Sequence, residues 1–125
     1  MYAVRVTADF CAAHFLSSYH GKCEQLHGHN YQVRLWAKGG EVGEGGMLVD
    51  FALLKDALRQ VCKTLDHTNL NDNAVFADNP SAERIARYIF DEVCKLLSPE
   101  VAGLLSAVDV FETPGNMARY ENKDN

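Results

Sequence analysis

The sequence predicts an α+β domain in which an antiparallel four-stranded sheet is covered on one face by two helices. Three observations predict it: two long alternating segments come first, two amphipathic helical segments follow, and alternation returns near the C-terminus. Strands and helices segregated in this way are typical of an antiparallel sheet with helices packed against one side. A chain of 125 residues is also the right length for a single domain over 1–125.

The first half of the sheet is predicted from two long alternating segments. One runs from Tyr2 to His14 and the other from about His27 to Lys38. Alternation with a period of two is typical of a strand with one buried face. The apolar faces consist of Val4, Val6, Ala8, Phe10, Ala12 and His14 in the first strand, and Tyr31, Val33, Leu35 and Ala37 in the second. The polar segment 16–25 between them is predicted to be a loop.

The first helix is predicted to follow a glycine-rich turn at 39–46 and an extended segment at 47–49. Asp50 is expected to be its N-cap, with the helix beginning at Phe51 and ending near Asp66. The apolar residues at helical spacing are Phe51, Leu54, Leu58, Val61 and Leu65.

The second helix is predicted after a loop at 68–78, which is rich in Asn and Asp. Asn79 followed by Pro80 predicts a capping residue and a proline in the first helical position. The buried stripe of this helix is expected to be Ala82, Ile85, Ile89, Val93 and Leu96. Alternation returns over 104–112, and 117–120 predicts a short final strand.

Composition excludes several classes of function. A net charge of −5 argues against a nucleic-acid partner, although it leaves room for a locally positive pocket that binds an anionic small molecule. Alternation begins directly after Met1, so no export signal is expected, and no apolar run is long enough to span a membrane. We therefore expect a cytoplasmic protein with reduced thiols. The cysteines, at 11, 23, 62 and 94, form no C-x-x-C pair that would indicate a structural zinc site.

Three histidines are the candidate metal ligands. His27 and His29 are two residues apart on a strand, so their side chains project from the same face. His14 ends the apolar face of the first strand and reaches the same point if the first two strands are neighbours. Three imidazoles with an open fourth position are the arrangement of a catalytic zinc site. Because an H-x-H pair alone is a weak signal, ordinary polar strand residues remain the alternative.

Other reactive residues also have more than one interpretation. Cys23 is a nucleophile or base, a fourth zinc ligand, or a bystander thiol, whereas the other cysteines are expected to be small core residues. Asp66 and His67 form a carboxylate–imidazole pair suited to proton transfer, but a histidine at a helix C-terminus also interacts favourably with the helix dipole. Glu112 shares a strand face with apolar residues, where it needs a charged or hydrogen-bonded partner unless it is simply solvated. His20 is given no function.

Taken together, these residues resemble the family of 6-pyruvoyltetrahydropterin and 6-carboxytetrahydropterin synthases. The matching stretches are Phe10 to His14, Cys23 to Tyr31, Leu48 to Phe51, Leu65 to Asn71, Asn79 to Glu83 and Glu112 to Pro114. They occur in the family's order and cover nearly the whole chain. Each is weak alone, but six in order are specific.

The resemblance implies a tunnelling fold, in which subunits join their sheets into an oligomeric barrel, and a homohexamer of two stacked trimers with active sites at subunit interfaces. It implies that His14, His27 and His29 bind Zn²⁺. Cys23 is then the catalytic thiol, and Asp66 with His67 the proton relay. Glu112 is expected to bind the amino-pyrimidine edge of the pterin, helped by Thr113.

The short spacing between Cys23 and His27 resembles the carboxy-forming branch, which serves the queuosine and 7-deazaguanine pathway. The function implied is conversion of 7,8-dihydroneopterin triphosphate to 6-carboxy-5,6,7,8-tetrahydropterin, acetaldehyde and triphosphate, which is carbon–carbon or carbon–oxygen lyase chemistry. One alternative is the pyruvoyl-forming synthase of tetrahydrobiopterin synthesis. Another is a non-catalytic binding module stabilised by zinc, in which Cys23 completes a closed site.

Overall fold

The computed structural model describes residues 1–16 and 25–124 and has the predicted α+β architecture. The elements are β1 (Tyr2–His14), β2 (His27–Gly39), α1 (Phe51–Leu65), β3 (Thr68–Asn69), α2 (Ala82–Leu96), α3 (Pro99–Ala102), β4 (Leu105–Thr113) and β5 (Asn116–Glu121). The four long strands and the two long helices match the elements expected from the sequence. The segment expected to be extended at 47–49 is not a strand.

The sheet has five strands in the order β3-β1-β2-β4-β5, so the prediction of four was wrong. The additional strand, β3, is two residues long and pairs parallel with β1 at Ala12 and Ala13. It lies within the segment expected to be a loop. The sequence did not predict it, because a two-residue strand is too short to produce any alternation. All the other pairs are antiparallel. The register of β1 and β2 runs from Tyr2 opposite Gly39 to His14 opposite His27.

The caps of the helices explain where each helix begins. The side chain of Asp50 accepts a hydrogen bond from the backbone N–H of Ala52, so α1 begins as expected. In α2 the N-cap is Ser81, whose hydroxyl accepts from the N–H of Arg84, and the helix begins at Ala82. The Asn79–Pro80 start was therefore wrong, and Pro80 instead lies in the turn that leads into the helix.

The core is a single apolar layer between the two long helices and one face of the sheet. Its fully buried side chains include Tyr31, Val33, Leu35, Leu54, Leu58, Ile85, Ile89, Val108 and Val110. Each such side chain contributes roughly 1.5–3 kcal/mol by leaving water. The even-numbered residues of β1 and the odd-numbered residues of β2 therefore lie on the face of the sheet that packs against the helices. We refer to this face as the helix face of the sheet.

Candidate active site

The strand register brings the three candidate histidines together at one end of the helix face. His14 ends β1 and His27 begins β2 directly opposite, while His29 lies two residues further along β2. One ring nitrogen from each lies within 4.8 Å of the others, an arrangement that could hold a metal ion. His14 is 2% exposed, and the other two rings are partly buried. The convergence expected from the alternation is therefore present in the structure.

Hydrogen bonds to backbone carbonyls fix the protonation of two of the rings. His14 Nδ1 lies 2.8 Å from the carbonyl oxygen of Pro80, and His27 Nδ1 lies 2.6 Å from that of Gln25. A carbonyl oxygen only accepts, so both Nδ1 atoms carry the proton and donate. Each neutral ring then has its lone pair on Nε2. Carbonyl partners of this kind commonly orient histidines that bind metals.

The facing nitrogens are suited to a cation. His14 Nε2 and His27 Nε2 are 2.8 Å apart, a distance at which two lone pairs repel each other unless a proton or metal ion lies between them. His29 Nε2 is buried and has no hydrogen-bond partner among the described residues. Burial lowers the pKa of His29, Glu112 opposes this effect, and the neighbouring His14 and His27 add to it, which favours the neutral ring that binds metal. The set of three imidazoles fits Zn²⁺.

Glu112 lies beside the triad. Its two carboxylate oxygens are each 3.8 Å from a ring nitrogen, one from His14 Nε2 and the other from His29 Nε2. The side chain is 28% exposed and opens on a depression of about 390 Å³ between β5 and the start of α2. Thr113 follows at the exposed end of β4, opposite Asn116. A carboxylate therefore lies at the boundary between the histidines and an open pocket, which is a suitable position for binding a polar ligand edge.

Asp66 and His67 form a pair on the outer side of β1. His67 Nδ1 lies 2.9 Å from Asp66 Oδ2, and Asp66 Oδ1 accepts from the backbone N–H of Cys11 at 2.8 Å. The bond from Cys11 lowers the pKa of Asp66, burial opposes this, and His67 lowers the pKa further. The imidazole therefore donates Nδ1–H to a carboxylate and is 81% exposed, which leaves Nε2 free to exchange protons.

This pair makes no direct contact with the triad in the described part of the subunit. His67 adopts a positive φ of 57°, and its backbone N–H donates to the carbonyl of Cys11. The His67 side chain lines a shallow depression together with Cys11, Gly28 and Asn30, and the depression also reaches His29. Cys11, Gly28 and Asn30 belong to the face of the sheet opposite the helices. Among the described residues, no hydrogen bond, ion pair or ring contact joins Asp66 or His67 to the triad. The predicted site is therefore divided into two groups of residues.

The cysteines are only partly as expected. Cys23 lies outside the described residues, so its role stays a prediction. Cys11 is exposed rather than a core residue, because it lies on the face of β1 opposite the core. Cys62 is buried, and burial raises the pKa of its thiol to about 12, while Cys94 is partly buried. Neither Cys62 nor Cys94 lines the triad.

Sequence reasoning missed three residues near the triad. Tyr31 is fully buried, packs edge-on against His14 and His29, and has a hydroxyl without a hydrogen-bond partner in the described part of the chain. Its position was available from the same alternation that placed the histidines. The carbonyl of Pro80 and the side chain of Asn71 produce no local pattern, because their contacts join residues far apart in the chain.

Comparison with known proteins agrees with this geometry. Residues 3–123 match the family described as 6-pyruvoyl tetrahydropterin synthase. The chain belongs to this family. Family members are pterin synthases, so the protein is related to enzymes that act on small pterin substrates.

Relatives within the pterin synthase family carry two different names. A 6-carboxy-5,6,7,8-tetrahydropterin synthase of Synechocystis sp. is 38% identical over 125 residues, covering 96% of this chain and 93% of the relative. A 6-pyruvoyl tetrahydrobiopterin synthase of Drosophila melanogaster is 41% identical over 106 residues, covering 80% of this chain and 61% of the relative.

The solved structure of Caenorhabditis elegans 6-pyruvoyl tetrahydropterin synthase superimposes with a TM-score of 0.86 at 29% identity, covering 98% of this chain and 96% of that one. The tunnelling fold expected from the sequence fits this likeness. No helix in the described ranges is long and apolar enough to cross a membrane.

Proposed function

We propose that the protein is a zinc-dependent 6-carboxy-5,6,7,8-tetrahydropterin synthase. It converts 7,8-dihydroneopterin triphosphate to 6-carboxytetrahydropterin, acetaldehyde and triphosphate, with the uptake of one water that atom balance requires. The observation that carries this proposal is the triad: two of its nitrogens face each other, and a third has no hydrogen-bond partner among the described residues, which suits a metal ion. Glu112 lies beside the triad at the mouth of a pocket. The name of the Synechocystis relative supports the carboxy-forming chemistry.

The triad and Glu112 bind and orient the substrate. His14, His27 and His29 would hold Zn²⁺, which would supply Lewis-acid polarisation of the substrate's side-chain oxygens. Glu112 accepts two hydrogen bonds from the amino-pyrimidine edge of the pterin, with Thr113 as a neighbouring polar contact.

Proton transfer is assigned to Cys23 and to the pair Asp66–His67. The Cys23 thiol moves a proton at the substrate side chain, since the thiolate is the reactive form of a cysteine. His67 returns protons through Nε2, because Asp66 holds the proton on Nδ1. Lyase chemistry of this kind needs C–H and O–H protons removed and returned in turn, so two groups with separate positions are suited to it.

The separation of Asp66–His67 from the triad supports an active site shared between subunits. We propose a homohexamer, a dimer of trimers with barrel-forming sheets, in which one subunit supplies the triad and Glu112 while its neighbour supplies Asp66 and His67. A cytoplasmic location and a place in queuosine and 7-deazaguanine synthesis belong to the same proposal.

The activity is tested by incubating zinc-loaded protein with 7,8-dihydroneopterin triphosphate. The proposal expects acetaldehyde and a product with the mass of 6-carboxytetrahydropterin. A product that retains the three-carbon side chain, without acetaldehyde, identifies the pyruvoyl-forming alternative, which the Drosophila relative's name favours. Unchanged substrate with one tightly bound zinc would refute both and favour the non-catalytic module.

The shared site is tested by mixing two inactive variants. A His67→Ala subunit keeps its triad, whereas a His27→Ala/His29→Ala subunit keeps its relay pair. Hybrids assembled from both regain activity if one site combines residues from two subunits. The matched control mixes His67→Ala with the triple variant His27→Ala/His29→Ala/His67→Ala, which can complete no site. Activity no higher than this control would show that each subunit completes its own site.

A further inference from the structure

Asn71 connects the two segments that hold His14 in place. It lies in a 3₁₀ turn, Leu70–Asp72, directly after β3. Its side-chain oxygen accepts from the backbone N–H of Phe15 at 2.8 Å, and its amide nitrogen donates to the carbonyl of Phe15 at 2.9 Å. The same nitrogen donates to the carbonyl of Asp78 at 3.1 Å. One amide therefore binds both backbone groups of the residue that follows His14, and a carbonyl two residues before Pro80.

The turn that contains Asp78, whose carbonyl accepts from Asn71, is strained. Ala77 and Asp78 have positive φ values of 50° and 65°, a conformation that non-glycine residues adopt at a cost. Such a conformation persists where surrounding contacts hold it. The bond from Asn71 to the carbonyl of Asp78 is one such contact, and Arg84 supplies another by donating to the carbonyl of Phe76 at 2.6 Å.

The strained turn positions the Pro80 carbonyl, which orients His14. Pro80 follows Asp78 by two residues, and its carbonyl accepts from Nδ1 of the buried His14 ring at 2.8 Å. This hydrogen bond places the proton on Nδ1 and leaves Nε2 directed to the other two histidines. Displacement of the turn would therefore change the orientation of the ring and the direction of its lone pair.

We infer that Asn71 is a positioning residue for the metal centre, acting on His14 from both sides through Phe15 and through the turn that carries Pro80. This inference rests on the proposed zinc site. It predicts that loss of the amide lowers metal affinity about tenfold or more by displacing the Pro80 carbonyl, since loss of a direct partner of a ligating histidine commonly costs about 10- to 100-fold. Because Asn71 is not part of the apolar core, we expect the variant to fold.

Asn73 provides a matched control on the same segment. Among the described residues, its side chain accepts from the N–H of Val75, two residues later, and caps the next turn, Ala74–Phe76. Asn71→Asp and Asn73→Asp change the same atoms and add the same charge. Aspartate still accepts hydrogen bonds but cannot donate to a carbonyl, so only Asn71→Asp removes contacts that reach the site. An added negative charge attracts a cation, so its direct electrostatic effect would strengthen metal binding rather than weaken it.

The experiment measures zinc affinity by competition with a chromophoric chelator, and the visible absorption of the cobalt(II) form as a report on ligand geometry. We expect Asn71→Asp to weaken zinc binding at least tenfold and to shift the cobalt bands, while Asn73→Asp remains within about twofold of the parent. If Asn71→Asp melts at a lower temperature without metal but has the parent's zinc affinity and cobalt spectrum, the residue only stabilises the fold and the inference is wrong.

A second variant covers the case in which Asn71→Asp does not fold. In Asn71→Ser the hydroxyl can donate to one carbonyl. We therefore expect zinc affinity below that of the parent, with a smaller loss than the tenfold or more expected for Asn71→Asp. Parental affinity in this variant would overturn the inference. A parent protein that binds no zinc would refute the proposed function itself, and that result is seen before any variant is compared.

Discussion

Glu112→Gln distinguishes pterin binding from metal binding, because the Glu112 carboxylate is close to both the triad and the pocket. The amide keeps the shape of the side chain and one acceptor oxygen, but its NH₂ group now faces a donor on the pterin edge. Losing a hydrogen bond to a charged group costs about 1.5–3 kcal/mol. Because the side chain is 28% exposed, water screens part of this energy, and we take the lower half of the range. The expected loss in pterin affinity is about 10- to 50-fold.

The assay is calorimetric titration with 7,8-dihydroneopterin, which lacks the triphosphate and so removes the triphosphate contacts from the measured affinity. Zinc content is measured on the same samples and is expected to stay at the parent's value, since three imidazoles remain. Glu100→Gln is the control, because Glu100 is an exposed glutamate in the first turn of α3. It makes the same chemical change away from the site and is expected to leave both quantities unchanged.

Two results would contradict this reasoning. Unchanged pterin affinity would return Glu112 to the solvated surface. Loss of zinc from Glu112→Gln would make the carboxylate a fourth metal ligand, for which its 3.8 Å distances to His14 Nε2 and His29 Nε2 are short enough after a small movement. The second result would also close the coordination position that a catalytic site needs.

Three other predictions follow from the site. His27→Ala/His29→Ala is expected to purify without zinc, and full occupancy measured by metal analysis would refute the triad. Cys23→Ala is expected to keep its zinc and its melting temperature, whereas its activity falls about 10²-fold or more, as for loss of a positioned acid–base group. Loss of both metal and stability would instead make the thiol a structural ligand. Sedimentation at micromolar concentration is expected to give a species near six subunits, and a clean monomer would contradict the shared site.

The sequence predicted those parts of the site that depend on alternation within a strand. His14, His27 and His29 lie on the apolar faces of β1 and β2, and the antiparallel register then brings their rings together. The same alternation also contained the correct position of Cys11, which belongs to the opposite face and is exposed. The prediction of a core position for Cys11 rested on the general tendency of cysteine to be buried, not on its position in the alternation.

Other features had no local pattern to predict them. The hydrogen bond from His14 to Pro80 joins residues 66 positions apart, and those from Asn71 to Phe15 join residues 56 apart. Neither the spacing nor the propensity of nearby residues indicates such contacts. The start of α2 was misplaced for a related reason: an Asn–Pro pair is a common helix start, but here the turn before the helix is held by these distant contacts and Ser81 becomes the cap.

The division of the site and the open edges of the sheet together favour assembly. Among the described residues, β1 pairs with β3 only at Ala12 and Ala13, so its edge from Tyr2 to Phe10 has no strand beside it, and β5 pairs only with β4. Unpaired edges promote association, and closing a barrel between subunits removes them. Asp66 and His67 lie beside the outer edge of β1, where a neighbouring subunit's strand would lie. The proposed barrel closure and the proposed shared active site would then depend on the same contact between subunits.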